Sequence, residues 1–528
     1  MSNHIKSNTE SLPDAGISID ASDTAQSMRN EATISDARTN APREEASPTQ
    51  ALTVGGNGKD GTLSVLAADD QPLFQTVQGS DLPKGFMTVD DAYKLNKARI
   101  RELQMKHQNG TKLELAELIG AGKMFVKGDN DKLWDDEGNL HYDMISGVGA
   151  IGMGNTNKYI WEQIEKVKDQ AIFYALGYHN MACAFAYNLA ITSPGGKLTR
   201  LWTGGGGGAE ANEGAIKLCK MAHHGHRPRV ASVLGGYHGK TAGSVAITGT
   251  EKWRKYQFPV MPAINLPFGD IQSLEDCLKT QDVCAFFIEP IQGEGGIRLH
   301  PEGYMKAARE LCTKYGTYLV CDEIQTGLGR TGKLWAIEHD DVIPDVIVFG
   351  KGFSGGYMPL AGYICTDELW QEGYGSAETC LHHTVTFGES PLTCAAGIAS
   401  MTYVYANDLI NESARKGEYL MSNIRKLGEK YPQVLKEVRG RGLMIGMEFQ
   451  LAGKIFREML GNRDAAKEAI GAKVAALLMN KYKIQVMFTI NNPIVIRMLP
   501  PLAVTQEAMD YTLKALDECF AEIAADFN

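Results

Sequence analysis

The sequence predicts an α/β protein: a large domain built on a mainly parallel sheet flanked by helices, with a smaller α+β domain beside it. Three features carry this expectation. Short β-rich runs at 229–234, 285–288, 317–320 and 346–349 alternate with helical stretches, which is the spacing of βαβ units. Past about Ser400 the pattern changes to longer helices, at 411–430 and 463–481, with strands near 442–449 and 494–498. From Met1 to Leu73 there is no aromatic residue, so this stretch cannot bury enough apolar surface to offset its ordering entropy. The expected organisation is a disordered tail over 1–75, an N-terminal segment over 76–150 that joins the small domain, the large domain over 151–400, and the remainder of the small domain over 401–528.

Order is expected to begin near Thr88-Val-Asp-Asp91, an N-cap pattern with acidic residues in the first turn, leading a helix that carries Ala92, Leu95 and Leu103. After it, 123–126 and 133–142 read as two strands around Asp-Asp-Glu-Gly-Asn, a turn chemistry that suits Gly138 and Asn139.

A chain of 528 residues, 44% apolar and 22% charged, has ample material for two or three cores. Its formal net charge of −10 argues against a nucleic-acid partner, because phosphate backbones demand surfaces rich in Lys and Arg. Ten cysteines are scattered with no Cys-x-x-Cys pair and no His at zinc spacing, the usage of a reduced, cytoplasmic protein without a metal site. The N-terminus lacks a basic region followed by an apolar one, and no apolar run reaches the roughly 18 residues that span a bilayer. Neither secretion nor a membrane is expected, which leaves small-molecule chemistry.

Four places could carry such chemistry. Five consecutive glycines, 204–208, pass into the helical pattern Ala209-Glu-Ala-Asn-Glu-Gly-Ala-Ile-Lys217, and bare N–H groups at a helix N-terminus make an anion site. Gly236-Tyr237-His238-Gly239 follows a strand and places an aromatic ring where open α/β sheets bind ligands. Two further strands end in carboxylates, Glu289 and Asp322-Glu323, which are costly there unless a cation faces them. A last strand delivers Lys351 into a Gly-rich turn, and an amine at a buried sheet edge has a depressed pKa and can form an imine with a carbonyl cofactor. Taken singly, each has an ordinary reading: a flexible loop, a rim aromatic, a solvent-facing carboxylate, a snorkelling lysine. Phosphate loop, stacking ring, pyridinium partner and lysine in that chain order are far more specific together.

The series Gly-Ala-Glu-Ala-Asn-Glu, Tyr-His-Gly-Lys-Thr, Glu-Pro-Ile-Gln-Gly-Glu-Gly-Gly, Asp-Glu-Ile-Gln-Thr-Gly-Leu-Gly-Arg-Thr-Gly, Lys351 and Thr-Phe-Gly-x-x-Pro-Leu resembles the class III (ω-) aminotransferases of pyridoxal-5′-phosphate (PLP) fold type I. Within the class it is similar to the putrescine, acetylornithine and ornithine branch. The resemblance implies PLP as cofactor, held on Lys351, which then moves the substrate proton. It implies that Asp322 keeps the pyridine nitrogen protonated, that Gln325 bonds the phenolic oxygen, that Tyr237 stacks on the ring with His238 beside it, and that Glu289 lies close to the cofactor. Gly208 and Ala209 would offer N–H groups to the phosphate, and Thr386 would reach it from the neighbouring subunit of a homodimer with shared active sites. Arg497 would bind a substrate carboxylate, and Glu294 would pair with it when none is present.

The chain also departs from this family. Gly207-Gly208-Ala209 replaces Ser-Gly-Thr, Glu389-Ser390 replaces Gly-Asn, Asn155 replaces a His, and Val148 stands where an aromatic often lines the substrate entrance, giving a roomier, more apolar mouth. The expected activity is transfer of an amino group between an amino-acid/2-oxo-acid pair and a terminal amine or aldehyde. An aminomutase or decarboxylase would use the same Lys351 and Asp322, and a PLP-binding regulator would need a DNA-binding module of which residues before Thr88 bear no sign.

Overall fold

A computed structural model describes residues 82–170, 176–257, 261–450 and 463–525; the tail expected over 1–75 lies outside them. Every site residue belongs to one compact unit, Asp91–Asn528.

Its centre is a seven-stranded sheet of β1 (Leu198–Gly204), β2 (Arg229–Val233), β3 (Ala263–Leu266), β4 (Val283–Ile288), β5 (Tyr318–Asp322), β6 (Val346–Phe349) and β7 (Ala361–Thr366), in the order β1-β7-β6-β5-β4-β2-β3. Neighbours from β6 to β3 are parallel, and β7 alone runs antiparallel to the strands on both its sides. Every residue of β4 and β6 is buried, as a sheet covered on both faces requires. Alternation along the strands divides them between two cores. Phe286, Ile288, Leu319, Cys321, Ile347 and Phe349 pack into one, and Phe287, Val320, Val346 and Val348 into the other. Helix α1 (Gly208–Ala222) follows β1 and lays Ala211, Ala215, Leu218 and Cys219 on the second core.

Beyond the sheet, Leu435–Arg441, Met444–Phe449, Val495–Met498 and Met487–Phe488 form a four-stranded antiparallel sheet. A second small sheet joins Phe125–Asp129, Lys132–Asp135 and Leu140–Asp143 to Ile484–Gln485, with Tyr142 opposite Ile484. His141, fully buried, bridges the two chain ends through Asp135 Oδ2 at 2.9 Å and Gln485 Nε2 at 3.0 Å.

The N-terminal expectations need two corrections. The single helix from Thr88 is two, Val89–Tyr93 and Lys97–His107, because the Asn96 side chain accepts from the Arg99 N–H at 2.9 Å and starts a new helix. Asp135–Asn139 is a turn as expected, but it lies inside the expected strand 133–142 and divides it into Lys132–Asp135 and Leu140–Asp143, which pair with each other and make three strands of two. Among the described residues no helix is long and apolar enough to cross a membrane.

Two carboxylates meet at the end of β5. Asp322 faces the sheet edge, whereas Glu323 is wholly buried and accepts the N–H groups of Ala336 (3.0 Å) and Ile337 (2.8 Å) and the Thr326 hydroxyl. Burial pushes its pKa up to about 7, against those hydrogen bonds. An unfolded chain ionises a glutamate near 4.3, so between about pH 4.3 and 7 the unfolded state has lost the proton that the folded state keeps, and stability falls as pH rises. Glu323→Gln removes this titration. The fall in thermal midpoint of the wild type from pH 5 to pH 8 should be shallower in the variant, and identical slopes would reject the assignment.

Candidate active site

Strands β2, β4, β5 and β6 run parallel, so their C-terminal ends open on one edge of the sheet. Tyr237 and His238 follow β2, Glu289 follows β4, Asp322 ends β5 and Lys351 follows β6. Register sets their height: Cys321 lies opposite Ile288 and Asp322 opposite Val348, which brings Glu289 level with Asp322 and Lys351 just beyond. With the start of α1 and two turns they enclose a cavity of about 490 Å³, lined by Gly208, Ala209, Tyr237, His238, Glu289, Glu294, Asp322, Gln325 and Lys351, and by Lys240, Thr241 and Ile324 as well. A wider groove of about 1240 Å³, bordered by Lys217, Lys220, Glu372 and His382, holds none of the expected site residues. The smaller cavity is the one on which buried ionisable groups converge.

Asp322 is held from three sides. Its Oδ2 accepts from Asn212 Nδ2 at 2.9 Å and from His238 Nδ1 at 2.7 Å, and its Oδ1 from the Ile324 N–H at 3.1 Å. A carboxylate only accepts, so the histidine proton sits on Nδ1. Burial opposes a charge on His238, but the hydrogen bond to Asp322 and the charges of Asp322 and Glu289 together raise its pKa above the ordinary value. Asn212, fully buried on α1, also donates to the His238 carbonyl at 2.8 Å. The sequence reading does not contain it; the available signal was an asparagine on the buried face of a helix that opens on a glycine run.

Lys351 adopts φ +48°, an uncommon conformation for a residue other than glycine and one that clusters at functional sites. Burial lowers its pKa, partly countered by the carboxylates of Glu294, Asp322 and Glu289, so more of the amine is neutral than in an exposed lysine. Glu289 spends both oxygens on backbone: Oε1 accepts from the Tyr237 N–H at 2.8 Å and Oε2 from the Gly293 N–H at 2.9 Å. Burial raises its pKa to about 7. Tyr237 is raised by burial and by Glu294.

Arg497, from the strand Val495–Met498, is 1% exposed, and its Nη1 lies 2.6 Å from Glu294 Oε1. The contact is a charge pair without hydrogen-bond alignment: Nε and Nη1 have no acceptor. Nη2 lies 3.9 Å from Met487 Sδ. Thr386 is exposed, and Val148 packs against the cluster of Ile145, Ile291, Ile297, Met444 and Leu499; neither lines this cavity within the protomer.

The cavity fits PLP. No side chain caps the N-terminus of α1, and a Cβ on Gly207, which lines the cavity, would meet nothing within 4 Å, so the space before the first-turn amides is open to an anion. Asp322, braced by Asn212 and His238, can face a ring nitrogen, Lys351 can hold an aldehyde, and the buried Gln325 Oε1 has no hydrogen-bond partner of its own. The departures have local accounts. Glu389 adopts φ +59°, which glycine takes at less cost, and its N–H donates to Thr203 Oγ1 at 3.0 Å. Asn155 donates to the Asn130 carbonyl at 2.9 Å and to Asp143 Oδ2 at 3.2 Å. Asp143 in turn accepts the N–H groups of Ile145 (3.1 Å) and Ser146 (2.6 Å), which steadies a left-handed run from Ser146 to Gly149 that contains Val148 (φ +63°).

The family model for aminotransferase class-III matches residues 121–520. An uncharacterized aminotransferase of Schizosaccharomyces pombe is 43% identical over 451 residues, 84% of this chain and 91% of that protein. The acetylornithine aminotransferase of Caldanaerobacter subterraneus subsp. tengcongensis is 34% identical over 408 residues, 76% of this chain and 95% of its own. A structure of the ornithine aminotransferase from Toxoplasma gondii, with PLP at partial occupancy in its active site, matches at a TM-score of 0.71 and 26% identity, covering 84% of this chain and 99% of that one. With a glycine-opened helix, a braced aspartate and a buried lysine converging on one cavity, the chain belongs to the class-III aminotransferases and is a PLP-dependent transaminase.

Proposed function

We propose that this transaminase moves an amino group between an amino-acid/2-oxo-acid pair and a terminal amine or aldehyde that lacks a carboxylate at the reacting end, as a cytoplasmic homodimer with shared active sites. The observation that carries this reading is the buried Arg497–Glu294 pair, 2.6 Å apart, with two guanidinium nitrogens lacking hydrogen-bond acceptors. When Glu294 faces Arg497 the pocket is neutral and accepts an amine without a carboxylate. When Glu294 turns aside, the planar guanidinium offers two parallel donors to a carboxylate. The names of the acetylornithine and ornithine aminotransferases support a substrate whose reacting amine ends a chain.

In this reading PLP supplies the electron sink that stabilises charge at the substrate carbon. Lys351 holds the cofactor and afterwards takes and returns the proton at that carbon, a task for which its lowered pKa suits it. Asp322, braced by Asn212 and His238, would face the ring nitrogen; Tyr237 would stack on the ring, Gln325 would bond its phenolic oxygen, and Glu289 would stand close by. Gly208 and Ala209 would give backbone N–H groups to the phosphate, joined by Thr386 of the partner subunit. The segments 76–150 and 401–528 together would form the smaller domain.

Two measurements test the reading. Titrating the PLP-loaded protein with putrescine, ornithine, alanine, glutamate and a long-chain amine should convert its visible absorbance with at least one amine and one amino acid. Lys351→Ala should lose both the lysine-bound absorbance and turnover, by about 10²-fold or more, as expected when a positioned proton-transfer group is removed. Absorbance that survives in this variant would sink the role of Lys351. Arg497→Lys keeps the charge opposite Glu294 but not the two-pronged fork, so KM for the amino acid should rise about tenfold, the worth of roughly one charged hydrogen bond, while KM for the amine stays within about twofold. Equal changes for both would remove Arg497 as the discriminating group.

A further inference from the structure

Glu294 is gripped by more than Arg497. Its Oε2 accepts the N–H of Ile490 at 3.0 Å, and its carbonyl accepts the N–H of Asn491 at 3.0 Å. The turn that carries it is fixed at both ends: the Gly293 N–H is given to Glu289, and the Gly296 carbonyl takes both Nε (2.9 Å) and Nη2 (2.7 Å) of Arg439. Glu294 can therefore leave Arg497 only by rotating its side chain, and that rotation also breaks the bond to Ile490. How firmly the Ile490 amide is fixed sets how readily the gate opens.

Ile490 lies in the short connection between Met487–Phe488 and Val495–Met498, and this connection is pinned by a neighbour in sequence. Asn491 Nδ2 donates to the Gly235 carbonyl at 3.1 Å, and Asn491 Oδ1 accepts from Trp253 Nε1 at 2.9 Å. The Lys252 ammonium donates to the Ile490 carbonyl. The Trp253 ring in turn carries the Lys240 ammonium 4.1 Å from its centroid, and Lys240 lines the cavity. One continuous set of contacts thus runs from the cavity through Trp253 and Asn491 to the Ile490 amide and Glu294.

We propose that Asn491 and Trp253 are specificity-positioning residues, which hold the Ile490 N–H against Glu294 and so bias the gate toward its closed form, the one that admits carboxylate-free substrates. The proposal rests on the reading of Arg497 as the carboxylate site. Neither residue touches the cofactor cavity's lysine or aspartate, so their effect is on which substrate is admitted and not on the proton transfer. Loosening the 489–492 connection weakens a hydrogen bond that only the closed gate makes, and Arg497 becomes easier to reach.

The test uses propionate, which has a carboxylate and no amine, titrated into the PLP-loaded protein and followed by calorimetry. Asn491→Ala removes both pins, and Trp253→Phe removes the indole N–H while keeping a ring under Lys240. Both variants should bind propionate about three- to tenfold more tightly than the wild type, the share of a charged hydrogen bond lost with the pin. A gain in affinity is not what general damage to the fold produces. Affinity unchanged or weakened in both variants overturns the proposal while leaving Arg497 as the carboxylate site. Arg497→Ala separates the two levels: propionate binding that survives this change, or that is absent from the wild type, overturns the reading of Arg497 and the proposal with it.

Discussion

The molecule is organised around the cost of placing an amine and three carboxylates in one poorly hydrated cavity. A rigid parallel sheet meets the first half of that cost by fixing where the charges stand, since the register of β4, β5 and β6 leaves little freedom in the heights of Glu289, Asp322 and Lys351. Directed hydrogen bonds meet the second half. Asp322 has three donors, Glu289 two backbone amides and Glu294 one amide, with the Arg497 guanidinium beside it as a charge partner. Charges left without such partners in an apolar interior would neutralise or unfold the site. Burial still disfavours the charges of Glu289 and Lys351, and for Lys351 this is the condition a proton carrier needs.

Two different kinds of support serve the two ends of the cavity. At the cofactor end, side chains brace a side chain: Asn212 and His238 hold Asp322 from α1 and from the turn after β2. At the substrate end a backbone amide holds the carboxylate of Glu294, and this amide comes from a connection, at Ile490, and not from a regular element. The first arrangement is stiff because helix and sheet carry it. The second has a side chain that can turn between two partners without disturbing the fold, which suits a position where substrates must be told apart.

The parts that could be read from the sequence were those that break a burial rule. Apolar strands ending in Glu289, Asp322-Glu323 and Lys351 place charges where charges are costly, and a run of five glycines before a helix is costly unless something must come close. Asn212 was missed because an asparagine inside a helix is unremarkable until a buried carboxylate is found opposite it. Ile490 could not be found at all, since its contribution is a backbone N–H that any residue but proline would supply. The break between Val89–Tyr93 and Lys97–His107 was hidden for another reason. Ala92, Leu95 and Leu103 fit a helical period across it, but the Asn96 side chain offers the next helix a cap, and local capping outweighed the periodicity.

The pairing of the two chain ends bears on how the protein is made. His141 meets Gln485 across 344 residues, and the Ser146 hydroxyl bonds the Leu499 carbonyl across 353. During synthesis from the N-terminus, the strands from Phe125 to Asp143 leave the ribosome long before Ile484–Gln485, the strand that completes their sheet. They must wait with an unpaired edge while the whole central sheet is assembled. Contacts of such sequence separation form slowly, and open edges invite association with other chains. Nascent chains of this protein should thus depend on holding factors, and a truncation that ends the chain before Ile484 would leave this sheet without its final strand.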